Sequence, residues 1–306
     1  MDLGAENIGV ASGPDSLREN EIIQKLTDAG FKITDLGNIT VKERASLSIE
    51  NPRAKYISEI CRVSLELAEK VKATVLKNEK VLVIGGDHSV CLGAVSGASV
   101  ALSGNLGLIY IDAHGDMNTS KTTLTGNIHG MHLASLLGFG DKKLKHILDT
   151  TVKVKKDFLL LIGGNDFDKA ELELVRNEKL DSIFMKDILS KGFYQVFEKI
   201  TMLSKNASNI WVSLDLDSID SVYAPAAAMP NKAGFTYREI TILCEEIGKS
   251  CNVMGVDLVE YNQQFDVNEK TAELAIELII KLFGSNYSWY TKYLEKNKTH
   301  DWNNKK

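Results

Sequence analysis

The sequence lacks the features that mark proteins of membranes, nucleic acids and export pathways. None of its apolar runs reaches the ~18 residues that a membrane-spanning helix needs. Its first residues show neither the basic start nor the apolar stretch of a signal peptide. Its 36 basic residues are outnumbered by 41 acidic ones, so the net charge of −5 supplies no field that would attract phosphate groups. These absences predict that the protein binds neither membranes nor nucleic acid and stays in the cytoplasm.

Cysteine and proline are scarce as well, with four of each among 306 residues. The cysteines form no CxxC pair, which favours buried, reduced thiols that serve as small hydrophobic residues. The few prolines and the absence of a Gly/Ser-rich linker predict a single domain over residues 1–284. Residues 285–306 form a polar, lysine-rich tail, for which we expect a short helix with a frayed end, or a contact with another subunit.

What the sequence does contain is a regular alternation of apolar and amphipathic segments. Hydrophobic residues make up 44% of the chain and charged residues 25%, as in soluble globular proteins. Five continuous apolar runs are typical of strands in a parallel sheet that is covered on both faces. These runs lie at 81–84, 108–111, 158–162, 210–214 and 253–256. Helices are predicted from Gly13 to Gly30 and over 60–75, so the pattern indicates an α/β fold.

Acidic residues stand at or just behind the C-terminal ends of these runs. In open parallel sheets, ligands bind beyond the carboxyl ends of the strands. We therefore expect one site to collect the polar residues that follow the runs. These are Asp87, His88, Asp112, His114, Asp116, Asp215, Asp217 and Glu260.

The spacing of these residues indicates a metal centre. Asp112, His114 and Asp116 alternate, so in extended chain their side chains point to one side. Asp215 and Asp217 repeat the arrangement, and four carboxylates in a partly dry site would repel each other unless divalent cations lay between them. Oxygen and imidazole ligands without thiolate favour Mn²⁺ or a similar first-row ion, and shared carboxylates favour two ions over one. Each motif alone is equally typical of a solvated turn or a helix cap, but their joint occurrence favours metal binding.

Four motifs together resemble the signatures of the arginase/agmatinase (ureohydrolase) family. They are GGDHS at 85–89, DAHGDMNT at 112–119, GNIHGM at 126–131 and SLDLDSID at 213–220. The likeness extends over most of the chain and is closest to the arginase branch. It implies an arginase-like catalytic domain, a three-layer α/β/α structure on a parallel sheet. It also implies a homotrimer or homohexamer and two Mn²⁺ ions per subunit.

The resemblance assigns ligands to each ion. One ion would be held by His88, Asp112, Asp116 and Asp215. The other would be held by His114, Asp112, Asp215 and Asp217. The implied reaction is the manganese-dependent hydrolysis of L-arginine to L-ornithine and urea, in which a hydroxide that bridges the metals attacks the guanidinium carbon.

Three residues would have catalytic roles by the same resemblance. Asp116 would accept a hydrogen bond from the nucleophile while it binds one ion. Glu260 would position the guanidinium group, because a carboxylate matches its fork of donors. His129 would carry a proton to the leaving amine, for which an imidazole is suited near pH 7.

The residues expected to bind the amino-acid end of the substrate lie in two further segments. Asn118, Thr125 and Asn127 resemble the arginine-specific loop of the family. Asp168 and Glu171 resemble the acidic residues that take the α-ammonium group. Agmatine lacks the carboxylate that such a loop would bind, so arginine is the favoured substrate.

Some positions depart from the family pattern and leave alternatives open. Met229 stands where the family has a hydroxyl, and Ser221 where it has proline. Relatives also have a short apolar strand before the segment that aligns with Met1, so either the start codon is called late here or one sheet strand is absent, and an absent strand would expose an edge of the sheet. These departures leave two alternatives. One is another ureohydrolase of the agmatinase, guanidinobutyrase or formiminoglutamase type, and the other is a non-catalytic relative that binds arginine.

Overall fold

The computed structural model describes residues 1–285, in which six strands form one parallel sheet. The strands are β1 (Val81–Ile84), β2 (Gly107–Ile111), β3 (Leu159–Ile162), β4 (Ser182–Ile183), β5 (Ile210–Asp215) and β6 (Val253–Val259). Their order in the sheet is β1-β6-β5-β2-β3-β4, and every neighbouring pair is parallel. The five apolar runs all form strands, and β4 is an additional strand of two residues.

Eleven α-helices occur in the same residues. They are α1 (Gly13–Glu19), α2 (Ile22–Asp28), α3 (Ile57–Val75), α4 (Val90–Ala101), α5 (His132–Leu136), α6 (Lys142–Lys145), α7 (Lys169–Asn177), α8 (Met185–Lys191), α9 (Tyr194–Asn206), α10 (Tyr237–Ser250) and α11 (Lys270–Leu282). The helix expected from Gly13 to Gly30 is broken into α1 and α2, because Glu21 has a left-handed φ of 61°. Such a φ cannot continue a right-handed helix.

Alternate residues of the strands face two separate hydrophobic cores. Ile109 and Ile111 of β2 pack in the core that contains helices α9, α10 and α11. Leu108 and Tyr110 of the same strand face the core that contains α3 and α4. Helices thus cover both faces of the sheet, which confirms the predicted three-layer α/β/α fold.

The strand order places a topological switch point between β2 and β5. The chain leaves β2 for β3 on one side and leaves β5 for β6 on the other. Ile111 pairs in register with Leu214, so the next residues, Asp112 and Asp215, lie side by side. A crevice opens at such a point, beyond the carboxyl ends of the strands.

The remaining expectations about the fold have mixed outcomes. β1 lies at an edge of the sheet, and three of its four residues are only half-buried, whereas β2 is buried throughout. The four cysteines are free, and two of them, Cys61 and Cys251, are half-buried rather than buried. Within residues 1–285 no helix has the length and apolar character to span a membrane. The predicted tail at 285–306 lies, beyond its first residue, outside the described residues, and the domain boundary at 284 stays a prediction.

Candidate active site

A cleft of about 540 Å³ opens at the carboxyl ends of β1, β6, β5 and β2. Most of the polar residues that the sequence places behind these strands line it. The lining residues are His88, His114, Asp116, His129, Gly130, Glu171, Asp215, Asp217, Met229 and Glu260. Asp112 lies directly behind them, as the distances below show.

One nitrogen of His88 faces three carboxylates. His88 follows β1 and is 1% exposed. Its Nδ1 atom lies 2.9 Å from Asp215 Oδ2, 3.0 Å from Asp112 Oδ2 and 3.4 Å from Asp116 Oδ2. These three aspartates are also buried, so four side chains from three segments converge on one small volume.

A second, neighbouring cluster forms around His114. The Nδ1 atom of His114 lies 3.0 Å from Asp217 Oδ2 and 3.5 Å from Asp112 Oδ1. Asp112 therefore directs one oxygen toward each histidine and belongs to both clusters. Side chains that could hold a metal ion occur at each, namely His88 with Asp112 and Asp116, and His114 with Asp112 and Asp217.

The spacing of two residues has a local cause in the backbone. Asp112 Oδ1 accepts a hydrogen bond of 2.7 Å from the backbone N–H of His114. Asp215 Oδ1 likewise accepts one of 2.8 Å from the N–H of Asp217. In each case the first aspartate turns the chain over its own side chain, as in an Asx-turn. The residue two positions later is thereby held next to it.

The carboxylates lie too close together to be ionised at once without a counter-charge. Burial raises the pKa of Asp116 to about 8, and repulsion from the charge of Asp112 adds to the rise. The pKa of Asp217 rises to about 6 for the same two reasons. Burial also raises the pKa of Asp215 well above its usual range. A positive charge within the cluster would remove this penalty.

Two further observations fit cations at these positions. The buried atoms Asp112 Oδ2 and Asp217 Oδ1 have no hydrogen-bond partner, although buried polar atoms normally find one. Asp116 also has a left-handed φ of 49°, a conformation that costs energy in residues other than glycine and is concentrated at functional sites. The donor set of nitrogen and oxygen atoms without thiolate therefore suits divalent cations.

Hydrogen bonds behind His88 fix which of its nitrogens faces the carboxylates. The hydroxyl of Ser213 donates to Asp257 Oδ2 over 2.5 Å, so its oxygen is left to accept from His88 Nε2 at 2.8 Å. Trp211 Nε1 donates to the other oxygen of Asp257. A neutral His88 therefore carries its proton on Nε2 and turns the lone pair of Nδ1 toward the aspartates. This is the arrangement of a metal-binding histidine with its outer partners in place.

Glu260 and His129 also line the cleft, and they contact each other. Glu260 Oε1 accepts a hydrogen bond of 2.8 Å from the backbone N–H of His88, and lies 3.3 Å from His129 Nδ1. Burial lowers the pKa of His129, but the hydrogen bond to Glu260 and its charge outweigh this effect and raise the pKa to about 9. The second oxygen, Glu260 Oε2, is buried and has no partner. It is left available to a donor in the cleft.

The five residues expected to bind the amino-acid end of the substrate differ from one another in position, exposure and hydrogen-bond partners. Glu171 lines the cleft, is 6% exposed, and has a pKa that burial raises to about 7. Asp168 and Glu171 form a capping box at the start of α7. Asn118 Nδ2 donates to Asp168 Oδ2 over 2.7 Å, while Asn118 Oδ1 is buried and has no partner.

Asn118, Asp168, Thr125 and Asn127 are not among the cleft-lining residues, so Glu171 is the one member of this set of five that lines the cleft. Thr125 is exposed, and its hydroxyl accepts a hydrogen bond from the backbone N–H of Asn127. Asn127 Oδ1 accepts a hydrogen bond of 3.1 Å from Lys55 Nζ. In the structure the Thr125 side chain thus contacts the backbone of Asn127, and the Asn127 side chain contacts Lys55.

Sequence reasoning missed several side chains that support the site. Tyr110 was counted as part of an apolar strand, although its hydroxyl reaches Asp116. Ser213 also lies inside an apolar run, and Asp257 directly follows one; in the sheet both pair in register with Tyr110 or its partner and so point to the same side. Lys55 belongs to a loop without any local pattern, so no signal in the sequence could have found it.

Comparison with known proteins places the chain in a family. The model of the Arginase family matches residues 1–284. The arginase of Brevibacillus brevis is 36% identical over 285 residues, which cover 93% of this chain and 95% of that protein. Two solved structures are similar along 94% of this chain. Arginase from Bacillus caldovelox has a TM-score of 0.89 at 33% identity and is covered to 97%. Arginase from Bacillus cereus has a TM-score of 0.87 at 34% identity and is covered to 96%. The chain therefore belongs to the arginase family and is an arginase-like ureohydrolase.

Proposed function

We propose that the protein hydrolyses L-arginine to L-ornithine and urea with two Mn²⁺ ions bound in the cleft. The observation that carries this proposal is the unpaired oxygen of Glu260, a residue that lines the same cleft as the histidines and aspartates of the two clusters. A buried carboxylate oxygen without a donor suits a guanidinium group, whose planar fork of N–H donors binds carboxylates strongly. The family membership gives the same reaction class.

The proposed ligands combine the distances around the two histidines with the family likeness, which adds Asp215 to the second set. His88, Asp112, Asp116 and Asp215 would hold one ion. His114, Asp112, Asp215 and Asp217 would hold the other. The carboxylate and imidazole donors favour Mn²⁺ over ions that prefer thiolate. Two such ions, when bound, lower the pKa of water and supply a nucleophile for a carbon that is otherwise a poor electrophile.

The residues of the chain bind and orient the substrate and move one proton. Glu260 holds the guanidinium group through Oε2, and its Oε1 atom keeps His129 beside the group that leaves. His129 delivers a proton to the departing amine, and the raised pKa means that the imidazole holds a proton at neutral pH. Asp116 accepts a hydrogen bond from the attacking water and orients it.

The amino-acid end of arginine would lie toward the rim. Glu171 and Asp168 are the carboxylates proposed to pair with the α-ammonium group. Asn118, Thr125 and Asn127 are proposed to bind the α-carboxylate, for which Asn127 and Thr125 must exchange the contacts that they now make with each other and with Lys55. The unpaired Asn118 Oδ1 is available to the ammonium group.

The test is a comparison of substrates on protein incubated with Mn²⁺. Urea release from arginine, agmatine and guanidinobutyrate gives kcat/KM for each. We expect the highest value for arginine, and a higher value for agmatine or guanidinobutyrate would overturn the proposed substrate. The family likeness also supports a homotrimer or homohexamer in the cytoplasm, and sedimentation equilibrium would measure the subunit number.

One observation favours a second candidate function, a ureohydrolase with another guanidino substrate. Met229 lines the cleft with 43% of its surface exposed, and a thioether is only a weak acceptor. A less polar substrate would suit this wall better than arginine does. The variant Met229→Thr separates the candidates, because it should improve arginine turnover only if the thioether limits it. Saturable arginine binding without urea release would instead indicate a non-catalytic relative.

A further inference from the structure

The buried hydroxyl of Tyr110 lies among two polar groups of the first cluster and the ring of His132. Tyr110 is 1% exposed, and its ring stacks on that of His88 with centroids 4.9 Å apart. The hydroxyl lies 2.6 Å from Asp116 Oδ2, 3.1 Å from His132 Nε2 and 3.2 Å from His88 Nδ1. A phenolic hydroxyl has one proton, and the shortest of these contacts is to the carboxylate. Tyr110 therefore donates to Asp116.

His132 joins this hydroxyl to the loop that carries His129. It is fully buried, and its Nδ1 atom lies 2.6 Å from the backbone oxygen of His129. A carbonyl oxygen only accepts, so Nδ1 carries the proton and donates. The other nitrogen, Nε2, is left facing the hydroxyl of Tyr110. Because the proton of the hydroxyl goes to Asp116, the neutral His132 ring packs against the hydroxyl through Nε2 without a proton between them, and the hydrogen bond that reaches Asp116 comes from Tyr110 alone.

The second cluster has no comparable support among the described residues. Asp217 Oδ1 is buried without a partner. His114 Nε2 lies 3.8 Å from Asp166, a side chain that is 77% exposed and therefore well screened by water. The two clusters share Asp112 but differ in what holds their remaining ligands in place. A change at Tyr110 should consequently affect only one of them.

We propose that Tyr110 is a positioning residue that fixes the carboxylate of Asp116, with His132 packed against its hydroxyl, and so sets the affinity of the first metal position alone. This inference rests on the proposed function, since it takes Asp116 as a ligand. Asp116 has a left-handed φ, and without a partner its side chain would adopt several rotamers. The hydroxyl of Tyr110 holds the carboxylate in one of them. Outer partners of metal ligands typically change affinity by roughly 10- to 100-fold.

The test is a calorimetric titration of metal-stripped protein with Mn²⁺, which resolves the two binding steps. For Tyr110→Phe, which removes only the hydroxyl, we expect one step to weaken by roughly 10- to 100-fold and the other to stay unchanged. His132→Asn keeps a donor for the His129 carbonyl but removes the ring that packs against the hydroxyl, so we expect a smaller weakening of the same step. The double variant should be no weaker than Tyr110→Phe, because both changes act through one hydroxyl.

Tyr261→Phe is the matched control. Tyr261 is also 1% exposed, and its hydroxyl donates to Asp266 Oδ2 over 2.9 Å, outside both clusters. We expect this variant to bind Mn²⁺ as the wild type does. Equal weakening of both steps in Tyr110→Phe, or no weakening at all, would overturn the inference while the proposed function stands. A wild-type protein that binds no Mn²⁺ would refute the metal centre itself, and the inference with it.

Discussion

Two parts of the cleft obtain their positions in different ways. The strand-end cluster comprises the six proposed ligands His88, Asp112, His114, Asp116, Asp215 and Asp217, which follow strands whose register the sheet fixes. The rim set comprises Asn118, Thr125, Asn127, Asp168 and Glu171, which lie on loops and at the start of α7. The cluster is mostly buried and has unpaired oxygens. The rim set is more exposed and mostly pairs with itself.

This difference assigns the chemistry to the strand-end cluster and the recognition of the substrate to the rim set. Side chains at the ends of paired strands cannot move without disturbing the sheet, so they hold a demanding geometry before any ligand arrives. Side chains on loops satisfy their hydrogen bonds with one another and exchange them when a ligand binds. Changes in the cluster should therefore affect metal content and turnover, whereas changes at the rim should affect KM.

The largest effect is expected from removal of Asp215, a carboxylate that both ions are proposed to share. Asp215→Ala should lose bound Mn²⁺ and lose activity by more than the roughly 100-fold that an outer partner of a ligand costs. Elemental analysis and the rate of urea release measure both. Asp166→Ala removes an exposed carboxylate next to His114 and should change neither. Full manganese content in Asp215→Ala would show that the cluster is not a metal centre.

A smaller effect on turnover is expected from His129→Asn. The asparagine can still donate to Glu260 but cannot carry a proton to the leaving amine. We expect kcat to fall by about 10²- to 10⁴-fold, the usual contribution of a proton donor, with unchanged manganese content. His146→Asn, at an exposed histidine, is the control. If kcat is retained, the proton comes from elsewhere.

At the rim, Asp168→Ala should act mainly on KM. The loss of a charged partner for the ammonium group should raise KM for arginine by about 10-fold or more, with kcat little changed. The variant also loses a helix cap, which costs about 1 kcal/mol of stability. Thr236→Ala removes the same type of capping box from α10 and serves as the matched control. An equal rise of KM in both variants would mean that stability, not recognition, is responsible.

The smallest effect is a pH dependence of KM that originates at Glu171. Burial raises the pKa of this carboxyl to about 7, so it becomes neutral as the pH falls below that value. A neutral carboxyl attracts the ammonium group less, so KM should rise from pH 8 to pH 6, by at most about 10-fold per unit. Glu171→Gln should have a high KM that lacks this step. The same step in both proteins would place the titrating group elsewhere.

Much of the fold could be predicted because it depends on patterns that the sequence shows directly. Continuous apolar runs such as 81–84 and 210–214 predicted buried parallel strands, and the family motifs predicted the three-layer fold, which the structure and its relatives confirm. β4 was missed because two residues are too short for any pattern. The break at Glu21 was missed because a left-handed residue in a polar stretch leaves no trace in hydrophobic spacing.

The candidate site was predicted unevenly for a related reason. The spacing of Asp112 and His114 showed that they share a face, since strand geometry is periodic. The roles assigned to all site residues stay predictions. The network of Tyr110, His132 and Asp116 was not predicted, because it depends on contacts between a strand and a loop that no local pattern encodes. Pairs such as Asn127 with Lys55 are hidden for the same reason.

The pairing of β1 with β6 has a consequence for how the molecule is made. Glu260 accepts its hydrogen bond from the backbone of His88, a residue 172 positions earlier in the chain. A contact of such separation forms late, because a long stretch of chain must be closed to make it. During translation, β1 can pair with β6 only after β2 to β5 have left the ribosome. The cleft is therefore completed at the end of synthesis, and any ion that it takes up has to be captured after that moment.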